Sequence, residues 1–296
     1  SLFTYPIESA ELLALRRLET EALRRSLAAK IKHDTACWAR KAIALREVRY
    51  ARMDAAYSAY ERGTELNEGL ATYVEMRAAS RPDVDLPAAE FGPAEVRRRA
   101  YASGSALALL LDQFMPSWSA KFESGNAQSL DVSLSTALGP GNECVFDESF
   151  VTQTEQTALA DVIAMQVEQT RLLENFEKKP GWRVVIDAGQ GEPLWPQGFD
   201  PLNVMRMGPI SVLHTRFLRL GNGGGQLEVL NAEALSEGVG PHPLFQGVRR
   251  MVLTGLNEPE VSNKNGSVTI RAQGLIAQFK KASVARDGKI IIVRLE

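Results

Sequence analysis

Apolar positions recur at helical spacing through the first 180 residues of the chain and at strand spacing after them. From Ser9 to Lys30, Leu12, Leu15, Leu18 and Leu23 alternate with the pairs Arg16-Arg17 and Arg24-Arg25, which predicts an amphipathic helix with a charged outer face. A second helix is predicted over Thr35–Tyr60, where Trp38, Ala42, Leu45, Val48, Met53, Ala56 and Tyr60 fall every three or four residues and the basic side chains form a solvated face. Gly63 interrupts this pattern, and a third helix is expected from Glu65 to Ala79. The stretch from Arg81-Pro82 to Pro87 reads as a loop. Phe91-Gly92-Pro93 opens a helix whose apolar positions, from Val96 to Phe114, end at Met115-Pro116. A last long helix is expected over Gln153–Lys178, stopped by Lys179-Pro180-Gly181.

Beyond Gly181 the pattern shortens to β-branched runs bounded by Gly, Asn and Asp: Trp182–Ile186, Val212–Leu220, Gln226–Leu230, Arg250–Thr254, Ser267–Ala272, Leu275–Phe279 and Lys289–Leu295. Asp287-Gly288 marks a hairpin. The fold class is therefore α+β, a helical domain over residues 1–179 followed by an all-β domain over 182–296, with seven or so strands in a sandwich or open barrel. No apolar run approaches the roughly 20 residues needed to span a bilayer. The start at Ser1, without the basic start and apolar core of a signal peptide, reads as a cut chain.

Composition narrows the chemistry. With 34 Lys+Arg against 36 Asp+Glu the net charge is −2, so no global field selects a nucleic acid and any partner is met at a local site. Cys37 and Cys144 allow at most one bridge. That excludes a disulfide framework, a Cys-rich zinc module and a Cys-x-x-Cys redox motif, and leaves the redox compartment open, with an extracytoplasmic location favoured over a cytoplasmic one. The three histidines, His33, His214 and His242, have plain readings as a helix-end, a strand-face and a proline-flanked loop residue. Gly221–Gly225 has no Lys-Ser/Thr after it and reads as a hairpin turn. No Gly-x-Ser-x-Gly context supports a serine hydrolase. Trp182, Trp195, Phe199 and Phe217, near several arginines, offer a carbohydrate- or peptide-binding face, against a plainer reading as sandwich core.

The third helix holds the one motif with chemical content. At 100° per residue, Leu66, Leu70 and Tyr73 lie opposite Glu61, Glu68, Thr72 and Glu75, an arrangement that by spacing alone is a solvated carboxylate face. Gly69 argues otherwise, because glycine inside a helix costs about 1 kcal/mol relative to alanine and so suggests close approach of a backbone or ligand. Asn67-Glu68-Gly69-Leu70-Ala71-x-Tyr73 resembles the Asn-Glu-Gly-[Phe/Leu]-Ala-x-Tyr segment of gluzincin metallopeptidases, the class that includes the M1 aminopeptidases. It is also similar to a helix in bacterial proteins of uncharacterised function, where it follows a His-Glu-x-x-His-type helix. The resemblance covers roughly residues 9 to 122. It implies that Glu68 is the third zinc ligand, and that Tyr101, in Tyr101-Ala-Ser-Gly104, hydrogen-bonds the tetrahedral intermediate. The 33 residues between them are fewer than is usual in the aminopeptidases.

A gluzincin site also needs the two histidines and general-base glutamate of His-Glu-x-x-His, and this chain has no such motif. Either that helix precedes Ser1, or the protein keeps the scaffold without the metal, or another subunit supplies the histidines. The expectation is a part of a zinc-dependent metallopeptidase acting on peptide or protein substrates, with zinc in the complete enzyme and none bound by this chain alone. The alternative is a non-catalytic binding or interaction protein on a peptidase-like scaffold.

Overall fold

The computed structural model describes residues 5–80, 84, 86–87, 91–125, 128–239 and 244–296. His242 and most of the loop read from Arg81 to Pro87 fall outside the described residues. The chain divides into two compact units, Tyr5–Gln166 and Val167–Glu296. No described helix is long and apolar enough to cross a membrane.

The helical unit is built on α1 (Ala10–Ala28), α2 (Lys32–Tyr50), α3 (Ala55–Thr64), α4 (Leu70–Ala78) and α5 (Val96–Phe114). Ser9 caps α1 by accepting a hydrogen bond from the Leu12 amide. The helix predicted over 35–60 is two helices. The first stops at Tyr50, and Asp54 caps the next by accepting from the Ala56 amide at 2.8 Å. Gly63, expected to interrupt, lies inside α3 with open space where a side chain would stand. Between α3 and α4 the helix continues through one π turn, Glu65–Gly69.

The apolar core joins Leu18, Leu23 and Ile43 to Leu107, Leu110 and Leu111 of α5 and to Leu130 and Leu134 of α7 (Leu130–Leu138). A short α6 (Trp118–Glu123) brings Trp118 onto its edge, where the indole N–H reaches Asp112 at 2.9 Å. Cys37 and Cys144 form a disulfide across 107 residues of chain. The long helix α8 (Glu148–Glu177) ends within a residue of the predicted stop and begins earlier than predicted. Its last turns, from Val167, belong to the second unit.

That unit holds thirteen strands among its described residues rather than seven or so. A seven-stranded sheet has the order β12-β13-β1-β8-β7-β4-β3, from β12 (Ala282–Asp287), β13 (Ile290–Leu295), β1 (Trp182–Asp187), β8 (Val248–Leu256), β7 (Ala234–Gly238), β4 (Ser211–His214) and β3 (Val204–Arg206). A six-stranded sheet runs β2-β5-β6-β11-β10-β9, from β2 (Trp195–Phe199), β5 (Phe217–Asn222), β6 (Gly225–Leu230), β11 (Leu275–Phe279), β10 (Ser267–Ala272) and β9 (Glu260–Lys264). All pairings are antiparallel except β1 with β13. Val184, Ile186, Leu253 and Val293 of the first sheet meet Leu218, Leu227, Ile270 and Ala277 of the second in one core, so the sheets form a sandwich.

The outer side of the seven-stranded sheet is covered in turn. Phe176, Leu172 and Leu173 of α8 pack on Val185, Leu235 and Val252. β1 is thus buried on both faces, which is why Trp182-Arg-Val-Val-Ile reads as an apolar run without strict alternation. The predicted strand Val212–Leu220 is two strands belonging to different sheets, parted at Thr215-Arg216. Gly223-Gly224 forms the expected two-residue hairpin turn. The Asn222 side chain accepts from the amides of Gly224 and Gly225.

Candidate functional site

The π turn Glu65–Gly69 lies against α5 at backbone distance. A Cβ on Gly69 would stand 2.7 Å from the Gly104 Cα, and one on Gly104 would stand 2.6 Å from the Glu65 carbonyl oxygen. Only glycine permits this at both positions, so the close approach expected of Gly69 is to another backbone. The Ser105 hydroxyl fastens the contact, donating to the Gly69 carbonyl at 3.0 Å and the Tyr101 carbonyl at 2.9 Å.

This seam brings Glu68 and Tyr101 to one surface. Arg97, one turn before Tyr101 on α5, donates from Nη2 to Glu68 Oε1 at 2.5 Å and from Nε to Tyr101 Oη at 2.9 Å. The two bonds raise the Arg97 pKa, Tyr101 contributing first and Glu68 second. The Glu68 side chain is 39% exposed and that of Arg97 59%, so the cluster is open to solvent. Because the Tyr101 oxygen accepts from Arg97, its own O–H remains available to donate.

Beneath the surface lies an arrangement that the sequence reading missed. Glu19 of α1, Glu61 of α3 and Glu65 of the π turn are buried with Arg46 and Arg49 of α2 and Arg99 of α5. Arg46 grips Glu65 with both terminal nitrogens, at 2.8 and 2.6 Å, and donates from Nε to Glu19 at 2.8 Å. Arg49 joins Glu19 to Glu61, and Arg99 reaches Glu19 at 2.6 Å and Thr20 at 3.0 Å. Tyr5 donates to Glu61, and Ser103 to Glu65 at 2.5 Å.

The expected charged outer face of the first helix is therefore corrected at Arg16 and Arg17, the solvated basic face of the second at Arg46 and Arg49, and the solvated carboxylate face of the third at Glu61, all of which are buried. Arg46, Arg49, Glu61 and Glu65 point inward because each charge finds opposite charges there. Burial alone would push the Glu19 carboxyl up, but Arg46, Arg49 and Arg99 outweigh it and hold it far below the usual carboxylate range. Burial is likewise overcome at Glu61, which Arg49 and Arg99 bring down to about 2. At Glu65 burial prevails over Arg46 and the pKa is raised. Burial lowers Arg16 to about 10, although its guanidinium donates to the carbonyls of Gly92 and Pro93.

No family model, no curated protein and no solved structure matches the chain.

Among the described residues no group of three or more His, Cys, Asp and Glu side chains could hold a metal ion. The zinc implied by the resemblance is therefore not accommodated by these residues on their own: Glu68 is a single carboxylate with Arg97 as its counter-ion. His33 is exposed beside Asp34. His214 is fully buried in β4, its Nε2 at 2.9 Å from the Ser236 hydroxyl, and burial lowers its pKa to about 4. Trp182 and Phe199 pack against the sandwich core, while Trp195 is 43% exposed.

Proposed function

We propose that the helical unit is part of a gluzincin-like zinc metallopeptidase, contributing Glu68 as one metal ligand and Tyr101 as a hydrogen-bond donor to the oxyanion, while the histidine ligands come from polypeptide outside these 296 residues. The observation that carries this reading is the meeting of Glu68 and Tyr101 at one solvent-open cluster, joined through Arg97. The π turn under Glu68 supports it, since π turns interrupting α-helices are frequent at functional sites. So does the buried ionic lattice, in which Arg46 fixes Glu65 three residues before Glu68 and ties the turn to α1 and α2. A preorganised hydroxyl aimed at developing negative charge is worth about 10²–10³ in kcat. In the longest natural form, Tyr101→Phe is expected to lower kcat for peptide hydrolysis by about that factor while bound metal is unchanged. Equal kcat in the two proteins removes Tyr101 from the proposed machinery.

One observation favours the second reading, a binding module without catalysis. Arg97 is a permanent cation and already neutralises Glu68, so the cluster has no electrostatic need of a metal. In that case Glu68, Arg97 and Tyr101 form a polar patch for a partner protein, and the longest natural form carries no zinc.

A further inference from the structure

The outer face of the six-stranded sheet carries an uncharged row that crosses every strand. Register places Trp195, Gly221, Gln226, Gln278, Thr269 and Ser262 side by side on consecutive strands. The alternate positions, such as Leu220, Leu227, Ala277 and Ile270, point into the sandwich core, so the row faces out. The neighbouring outward row is a different surface: Arg219 pairs with Glu228 there, and Arg271 lies opposite Glu260. A solvated sheet face ordinarily carries such charges, and the first row has none.

The row is also shaped. At Gly221 a Cβ would stand 2.4 Å from Gln197 Nε2, so the missing side chain makes a notch in which the Gln197 amide lies. Gln197, Gln226, Gln278 and Lys280 line one hollow of about 280 Å³. At about 4.8 Å per strand the six positions extend over about 24 Å, the reach of an oligosaccharide rather than a monosaccharide. We propose that this row binds a neutral polysaccharide chain. Amides and hydroxyls both donate and accept, as sugar hydroxyls do. The exposed Trp195 at the end strand supplies an apolar face with a polar edge for a sugar ring. The backbone groups between these strands are already paired, which excludes an added peptide strand on this face, and the six positions of the row include no cation to favour an acidic polymer over a neutral one.

Affinity electrophoresis of the full chain in gels containing xyloglucan, glucomannan, hydroxyethylcellulose or amylose tests the proposal, with polygalacturonate as an acidic counterpart. Retardation is expected with at least one neutral polymer. The double substitution Gln226→Ala/Gln278→Ala should weaken it at least tenfold, Trp195→Ala should weaken it as well, and Arg271→Ala in the neighbouring row should leave it unchanged. All four positions are on the sheet surface, and thermal melting of each variant separates lost binding from lost fold. Retardation by none of the neutral polymers overturns the proposal. So does retardation that survives the double substitution, or retardation by polygalacturonate alone with sensitivity to Lys280→Ala. The test does not depend on the metallopeptidase reading, since it scores binding by the β unit without metal or hydrolysis.

Discussion

Single residues here are decided by what they touch. Glu61 and Glu68 lie on one stretch of helix, yet Glu61 is locked between Arg49, Arg99 and Tyr5 in the interior while Glu68 reaches the surface and one exposed arginine. His214 shows the same logic in the β unit. Its ring is buried, its Nδ1 has no partner, and a protonated imidazole would have an unmatched charge. The folded-state pKa of about 4 lies below the unfolded value of about 6.5, so the folded protein binds the proton less well. Stability is therefore full above pH 6.5 and is lost as pH falls through the window down to about 4, by about 3 kcal/mol in all. Protection factors of the amides in β4 and β7, which divide out the intrinsic slowing of exchange towards acid pH, should fall over that window, and His214→Gln should abolish the fall. An unchanged profile in the variant would assign the effect to another group.

At the scale of elements, the α1–α2–α3–α5 assembly is organised by charge as much as by apolar contact. A buried ion pair contributes little net stability when compared with an apolar replacement of both partners, but removal of one partner strands a charge at a cost of about 3–5 kcal/mol. Arg49→Met, which leaves Glu19 and Glu61 short of a cation, should lower the unfolding free energy of the chain by about that amount in urea titrations. A loss below about 1 kcal/mol would mean that water enters the lattice. Glu19 and Glu61, both depressed, add stability above the unfolded carboxylate range near 4.5 that disappears as pH falls towards about 2. The raised Glu65 works in the opposite direction.

This lattice explains what the sequence withheld. Arg46 and Arg49 keep helical spacing like Ala42 and Leu45, but a hydrophobicity pattern assigns all arginine to solvent, and pairing with Glu61 and Glu65 becomes visible only once the helices are packed. Asp54 hid a helix boundary because three residues of turn sit inside a continuous helical period. The strands β2, β3, β7 and β9 were missed for physical reasons too. Pro196 in β2 removes a backbone donor, the register shifts between Pro196 and Gly198, and β9 is exposed along its whole length. What the sequence did show was legible through strong local signals: the helix at Ser9, the hairpins at Asp287-Gly288 and Gly223-Gly224, and Gly69 as a point of close contact.

Across the whole molecule, a bridge between Cys37 and Cys144 closes 107 residues of the helical unit, from α2 to the segment before α8. In the chain-entropy account a loop of that size contributes about 4–5 kcal/mol by restricting the unfolded chain. Reduction with dithiothreitol, or Cys37→Ser/Cys144→Ser, should shift urea unfolding by a comparable amount, and a shift under about 1 kcal/mol would show the bridge to be unimportant to stability. The ionic lattice, for its part, ties the π turn that carries Glu68 to α1 and α2. Whether Glu68 is a metal ligand is decided by zinc per chain, from elemental analysis of the longest natural form of the protein and of its Glu68→Ala variant. One zinc is expected in the first and its loss in the second, with the buried lattice intact by thermal melting. No zinc in the natural form, or the same zinc content after Glu68→Ala, would contradict it.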